Sequence, residues 1–137
     1  MERFDIWDLV FGYVGNRLRR LLRKPDMDFV TRSLAIGGNT ELTKEFTVVD
    51  LTSLTEGKSP DLGLVDLIVD RINQYCLDHR KVFAHCRVGR GRASLISICY
   101  LIKYAGMEAD VAIRRVRRRR PFTYLNKEQL NFARDYW

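Results

Sequence analysis

The segment HCRVGRGRAS, residues 85 to 94, constrains the fold of this chain more than any other segment. The apolar run KVFAH leads into it and is predicted to be a short strand, and ASLISICYLIKYAG follows as a predicted helix with Gly106 at its C-terminal cap. A glycine-containing loop curled against a helix N-terminus points backbone N–H groups inward and adds the positive end of the helix dipole. The sequence therefore predicts a site for a tetrahedral oxyanion at this strand-to-helix junction.

The rest of the chain supplies the layers around this unit. SLAIGG and FTVVDL are predicted buried strands. A long helix is predicted from Ser59 as N-cap and Pro60 as first helical residue to about Arg80. Its apolar face would consist of Leu62, Val65, Ile68, Ile72, Tyr75 and Cys76. Alternating helices and short strands predict an α/β fold with a central, mainly parallel sheet flanked by helices.

Two further helices are predicted near the C-terminus, on either side of Pro121. The first runs from about Glu108 to Arg119, and its Ile113 and Val116 would face the core while the arginines of RRVRRRR, residues 114 to 120, form a solvated face. The second begins at Asn126, which can cap the helix while Gln129 reaches back in a capping box.

Composition and charge bound the domain count and the partners. With 137 residues, 46% of them hydrophobic, we expect a single domain over residues 1–137. A net charge of +7 favours an anionic partner, which could be a phosphorylated substrate, a nucleic acid or an acidic membrane surface. Residues 1–25 are predicted to form an amphipathic basic helix that either covers the core or lies on anionic lipid.

The cysteine count indicates the cellular compartment. The three cysteines are an odd number and lack cysteine-rich spacing, so we expect no disulfide framework. We therefore expect reduced thiols in a cytoplasmic protein. The protein would be peripheral to a membrane if the N-terminal helix binds lipid. Cys76 and Cys99 lie on apolar helix faces and are predicted core residues. The two histidines, His79 and His85, lack ligand-like spacing, and no metal or other cofactor is expected.

Cys86 and Arg92 are the candidate reactive pair, and five residues separate them. At the positive end of a helix a thiol loses its proton easily, which would make Cys86 a nucleophile at neutral pH. Arg92 can offer a planar fork to two phosphoryl oxygens. The loop residues between them, Arg87, Val88, Gly89, Arg90 and Gly91, would bind the phosphate, and Gly89 and Gly91 permit the tight curl.

The motif of His-Cys followed by five residues and Arg resembles the signature of the protein tyrosine phosphatase superfamily. The motif lies late in the chain, as it does in the dual-specificity branch. The resemblance covers about Asp28 to Tyr136. It implies a metal-independent phosphatase that works through a phosphocysteine intermediate, with His85 in a supporting role.

Further site residues follow from the same resemblance. The family's general acid is an aspartate in the loop that reads TEGKSPDL here, which puts Glu56 in that role, with Asp50 as the alternative. Gln129 matches a glutamine that positions the hydrolytic water, a role that competes with helix capping. Ala93 stands where the family has Ser or Thr, so we expect hydrolysis of the intermediate to be slow.

The sequence leaves the substrate class open. The resemblance to the dual-specificity branch favours phosphoproteins carrying phosphotyrosine, phosphoserine or phosphothreonine. Arg87 and Arg90 make the loop similar to that of the phosphatase-and-tensin family, and the N-terminus is similar to that of phosphatidylglycerophosphate phosphatases, which favours a phospholipid headgroup. Two further candidate functions are an RNA 5′-triphosphatase and a non-catalytic phosphate-binding module. We place a nucleic-acid partner below these substrates because no aromatic residues interleave the arginine run.

Overall fold

The computed structural model describes residues 26–38, 45–54, 58–87, 91–121 and 123–137. The predicted N-terminal helix over residues 1–25, the candidate acid Glu56 and the loop residues Val88, Gly89 and Arg90 lie outside the described residues.

The described residues contain a four-stranded mixed sheet. Its strands are β1 (Met27–Phe29), β2 (Leu34–Gly37), β3 (Thr47–Asp50) and β4 (Val82–His85), in the spatial order β1-β2-β4-β3. β1 pairs with β2 in antiparallel fashion, whereas β4 is parallel to both β2 and β3. The predicted mainly parallel sheet is confirmed, and the apolar sequences of β2 and β4 match their burial on both faces.

Four helices surround this sheet in the described part of the chain. They are α1 (Leu62–Leu77), α2 (Arg92–Tyr104), α3 (Ala109–Arg119) and α4 (Lys127–Asp135). α2 contacts the other three helices as well as β2 and β4, and most of its residues are buried. It is therefore the central helix, and its N-terminus is held firmly by the core. No helix within the described ranges is long and apolar enough to cross a membrane.

The predicted start of α1 is wrong by two residues. Asp61, and not Ser59, is the N-cap, and its carboxylate accepts a hydrogen bond from the Leu64 N–H at 2.8 Å. Leu62 therefore opens the helix and is exposed, although its spacing placed it on the buried face. The helix also ends at Leu77, before Arg80, because His79 takes a left-handed conformation with φ of 60°.

The other helix boundaries follow the sequence closely. Gly106 has φ of 67° just after α2, as expected for a residue at a helix C-terminus. Asn126 and Gln129 form the complete capping box at the start of α4. Ile113 and Val116 are fully buried on α3, as predicted.

Arg120 corrects the prediction that the arginine run is a solvated face. It directly follows α3 and is completely buried. Its guanidinium donates to the carboxylates of Asp26 and Asp28, each at 2.9 Å. A buried arginine requires such partners, and here they connect the end of α3 to β1 at the sheet edge.

Replacing Arg120 with Ala should lower the free energy of unfolding by about 3 kcal/mol, because two partly buried carboxylates would lose their counter-charge. Chemical denaturation would measure this loss. Arg118→Ala is the matched control from the same run, since Arg118 is exposed and its replacement should change stability by less than about 0.5 kcal/mol. Equal stability of the two variants would contradict the structural role of Arg120.

Candidate active site

Cys86 lies at the carboxyl end of the central strand. It follows β4 directly, its backbone N–H donates to the Gly37 carbonyl at 3.3 Å, and its side chain is buried. Gly37 ends the parallel neighbour β2, so Cys86 sits just beyond the ends of two parallel strands. In open α/β sheets this edge is the usual place for ligands.

Arg92 is the first residue of α2 and lies at the same carboxyl end of the parallel strands as Cys86. Its Nη1 donates to the carbonyl oxygens of Thr52 at 3.0 Å and Leu54 at 3.2 Å, in the segment that follows β3. Within the described residues these bonds use Nη1 alone, which leaves Nη2 and Nε for a ligand. The two carbonyls hold the guanidinium in place, and no sequence pattern signals them because they belong to the backbone.

The loop between Cys86 and Arg92 is described only at its two ends. Arg87 is exposed. Gly91 is the N-cap of α2 and provides no side-chain cap to the helix N–H groups. α2 has 13 residues, and the orphan N–H groups and the dipole at its N-terminus favour an anion there.

Asp50 ends β3 and is paired in register with His85 of β4. Its carboxylate accepts hydrogen bonds from the Thr52 N–H at 2.9 Å and the Thr52 hydroxyl at 2.7 Å. These bonds, with smaller contributions from His85 and Arg92, hold the pKa of Asp50 below its usual value. The Thr52 bonds therefore stabilise the ionised form of the Asp50 carboxylate.

Gln129 caps α4 and also lies next to Gly91 of the loop. Its Oε1 accepts the Asn126 N–H at 3.0 Å, which completes the capping box of α4. The same amide faces the loop, since a Cβ atom added at Gly91 would lie only 3.2 Å from Gln129 Nε2. Gln129 is also buried, so capping and a position next to the loop occur together.

His85 precedes Cys86, and its ring stacks on Phe83 with centroids 5.5 Å apart. Its Nδ1 is buried without a hydrogen-bond partner among the described residues. The stacking restricts the orientation of the His85 ring, and its supporting role stays a prediction.

Ala93 and Ser94 occupy the first turn of α2, and both are buried. The Ser94 hydroxyl lies 3.0 Å from the Thr123 hydroxyl, and the two share a hydrogen bond. This bond engages Ser94 inside the fold. The hydroxyl that the resemblance leads one to expect at residue 93 is therefore not replaced by Ser94 in this arrangement.

The two other cysteines, Cys76 and Cys99, lie within helices, whereas Cys86 follows a strand. Cys99 is fully buried in the core, as predicted, and burial raises the pKa of its thiol. Cys76 on α1 is only partly buried, and burial again raises the pKa of its thiol. A raised thiol pKa disfavours the thiolate, so neither residue is a good nucleophile.

The described residues contain no group of His, Cys, Asp or Glu side chains arranged to hold a metal ion.

The four-stranded mixed sheet and the four helices that flank it form a cysteine-phosphatase fold. Residues 38–135 match the family described as "Dual specificity phosphatase, catalytic domain". The chain belongs to this family, within the protein tyrosine phosphatase superfamily that the signature had indicated.

Curated relatives carry different names. The chain is 30% identical over 78 residues to the phosphatidylglycerophosphate phosphatase PTPMT2 of Arabidopsis thaliana, which is 57% of this chain and 34% of the relative. It is 30% identical over 93 residues to the protein tyrosine phosphatase domain-containing protein 1 of Mus musculus, which is 68% of this chain and 11% of the relative. The matched regions thus span only a minor part of these relatives.

Solved structures show the same fold. The active form of Tk-PTP superposes with a TM-score of 0.73 at 18% identity, over 82% of this chain and 96% of that chain. PTPMT1 in complex with PI(5)P superposes with a TM-score of 0.70 at 14% identity, over 81% of this chain and 94% of that chain.

Replacing Thr52 with Val should raise the pKa of Asp50 towards its ordinary value near 3.8, because the hydroxyl bond that stabilises the carboxylate is lost. A lowered folded-state pKa stabilises the fold above the ordinary pKa and ceases to do so as pH falls through the folded value. Thr52→Val should therefore weaken the pH dependence of stability below about pH 4. A carbon-detected NMR titration of Asp50 would measure the shift, with Ser53→Ala as control, and an unchanged pKa in Thr52→Val would contradict this assignment.

Proposed function

We propose that this domain hydrolyses phosphomonoesters through a phosphocysteine intermediate on Cys86. The observation that carries the proposal is the placement of Cys86 and Arg92 at one edge of the sheet, beside the N-terminus of α2. The family to which the chain belongs supports it.

The proposed reaction has two displacements at phosphorus. The Cys86 thiolate attacks the phosphorus atom, an S–P bond forms, and the P–O bond to the leaving group breaks while an acid protonates that oxygen. Water then attacks the phosphocysteine, a base takes its proton, and the S–P bond breaks to release inorganic phosphate. Arg92 and the N–H groups at the start of α2 hold the charge of the transferring phosphoryl group. These groups supply nucleophile and charge stabilisation without a metal.

The first displacement requires an acid that protonates the leaving oxygen. We propose Glu56 as that acid, with Asp50 as the alternative, because Glu56 lies in the loop before α1, where the family that the signature resembles carries its general acid. Glu56 lies in the segment between Leu54, whose carbonyl binds Arg92, and Ser59, whose N–H donates to the Glu128 carboxylate at 3.1 Å. Both ends of the segment are therefore attached to the body of the domain.

Two substrate classes are proposed. Phosphoproteins follow from the dual-specificity branch, and three curated relatives are named for a protein tyrosine phosphatase domain. A phospholipid headgroup is the second candidate, because two Arabidopsis thaliana relatives are named phosphatidylglycerophosphate phosphatases and PTPMT1 has been solved with PI(5)P. The net charge of +7 is compatible with both.

Replacing Cys86 with Ser should abolish phosphate release from p-nitrophenyl phosphate in the presence of a chelator, by a factor of at least about a thousand, because the nucleophile is lost. Cys76→Ser is the matched control and should keep the wild-type rate. The same pair of variants assayed on phosphatidylglycerophosphate and on a phosphotyrosine peptide would assign the substrate class. Wild-type turnover by Cys86→Ser would overturn the mechanism, and a folded wild type inactive on all three substrates would favour a non-catalytic phosphate-binding module.

Replacing Glu56 with Gln should slow the hydrolysis of alkyl phosphates by about a hundredfold or more, and that of activated aryl phosphates much less, since a good leaving group needs no proton. The rate constants for a leaving-group series would show this as a steeper dependence on leaving-group pKa. Asp50→Asn should leave the slope unchanged, as should the surface control Glu108→Gln. A steeper slope in Asp50→Asn alone would transfer the role to Asp50.

A further inference from the structure

A basic groove lies at the end of the sheet opposite Cys86. We define it by Phe29, Thr31, Arg32, Lys81, Arg115 and Arg119, and it has a volume of about 420 Å³. Lys81 precedes β4 and Cys86 follows it, so the backbone positions of these two residues are roughly 16 Å apart at about 3.3 Å per strand residue. The groove is therefore separate from the candidate active site.

Four cations line this groove, and none of the described residues that line it is acidic. In the described part of the chain, Arg32, Lys81, Arg115 and Arg119 form no ion pair or side-chain hydrogen bond. Other cations are compensated: Lys103, for example, binds Asp66 and Asp70. Four neighbouring positive charges repel one another, and a bound anion would relieve that repulsion.

The groove also has a fixed polar wall. The Thr31 hydroxyl accepts the N–H groups of Ser33 at 3.2 Å and Leu34 at 3.0 Å, which fixes the turn before β2. Because its oxygen is the acceptor in both bonds, its own O–H can donate to a ligand. Arg115 and Arg119 are one helical turn apart on α3, so their side chains project from the same face of that helix.

We propose that the basic groove binds a multiply charged phosphate ester of small size, such as a phosphorylated inositol. Arginine forks match phosphate oxygens in bidentate fashion, and three of the four cations are arginines. The volume falls in the range of small-ligand pockets, about 300 to 1,000 Å³, and suits a headgroup. A ligand in the groove is out of reach of Cys86, so this is a binding site and not a second catalytic site. The phosphate ester could be a free molecule or the headgroup of a lipid.

The test compares Arg32→Gln/Arg119→Gln with Arg71→Gln/Arg118→Gln. All four arginines are exposed, both pairs remove two charges, and the second pair lies outside the groove. Binding is measured in a Cys86→Ser/Arg92→Met background, so that the probe is neither hydrolysed nor held by the catalytic loop. The probes are inositol hexakisphosphate, followed by calorimetry, and phosphatidylcholine vesicles containing phosphatidylinositol bisphosphate, followed by sedimentation.

The groove pair should weaken binding by at least about tenfold, through loss of two charge-assisted contacts, while the control pair changes it by less than about twofold. In protein with Cys86 and Arg92 intact, neither pair should alter turnover of p-nitrophenyl phosphate, and thermal melting would verify that every variant is folded. Groove-dependent binding of the soluble probe alone assigns a free ligand, and groove-dependent binding of the vesicles assigns a lipid headgroup.

The proposal fails if the unsubstituted groove binds neither probe, or if both pairs weaken binding equally, because net charge would then explain the result. It also fails if phosphatidylserine vesicles bind as well as those with the bisphosphate, since that would indicate general membrane electrostatics. Groove-dependent binding of an acidic peptide or RNA without groove-dependent binding of the phosphate probes would overturn it in favour of a macromolecular partner. Because turnover is measured separately, failure of this proposal is distinguishable from failure of the proposed function.

Discussion

The parallel pairing of β4 with both of its neighbours is the constraint on which the candidate site depends. The register places His85 opposite Gly37 on one side and Asp50 on the other, so three strands end at the same level. Cys86 is the next residue, and α2 begins at Arg92. A slip of one residue in this register would turn every side chain of β4 to the other face of the sheet. The same pairing that buries the strand therefore also fixes the position of Cys86.

Arg92 connects the start of α2 to the segment that follows β3. It begins the central helix, whose buried faces fix its position, and its guanidinium binds the carbonyls of Thr52 and Leu54 after β3. Ordering a long, charged side chain costs conformational entropy, and the two hydrogen bonds of Arg92 offset this cost before any ligand binds. Such preorganisation is what electrostatic stabilisation of a transition state requires.

The sequence predicted those parts of the structure that local pattern controls. The runs that became β2 and β4 are apolar and bounded by turns, and Asn126 with Gln129 carries its own cap signal, so both were predictable from neighbouring residues. The burial of Arg120 was not predictable, because its carboxylate partners lie 92 and 94 residues away. The start of α1 was misplaced because Ser59 and Asp61 are both good N-cap residues, and the hydrogen bond of Asp61 to Leu64 decided between them.

Gln129 shows how a helix cap can also hold a side chain next to the candidate site. A glutamine side chain has several rotatable bonds, and holding it against the loop would cost conformational entropy if nothing else fixed it. The capping box fixes it already, since Oε1 is bound to the Asn126 N–H and Nε2 is directed to the side of Gly91. A side chain larger than hydrogen at Gly91 would compete with that amide and with the Tyr124 carbonyl for the same space. The capping box of α4 and the space beside Gly91 are therefore coupled through one buried amide.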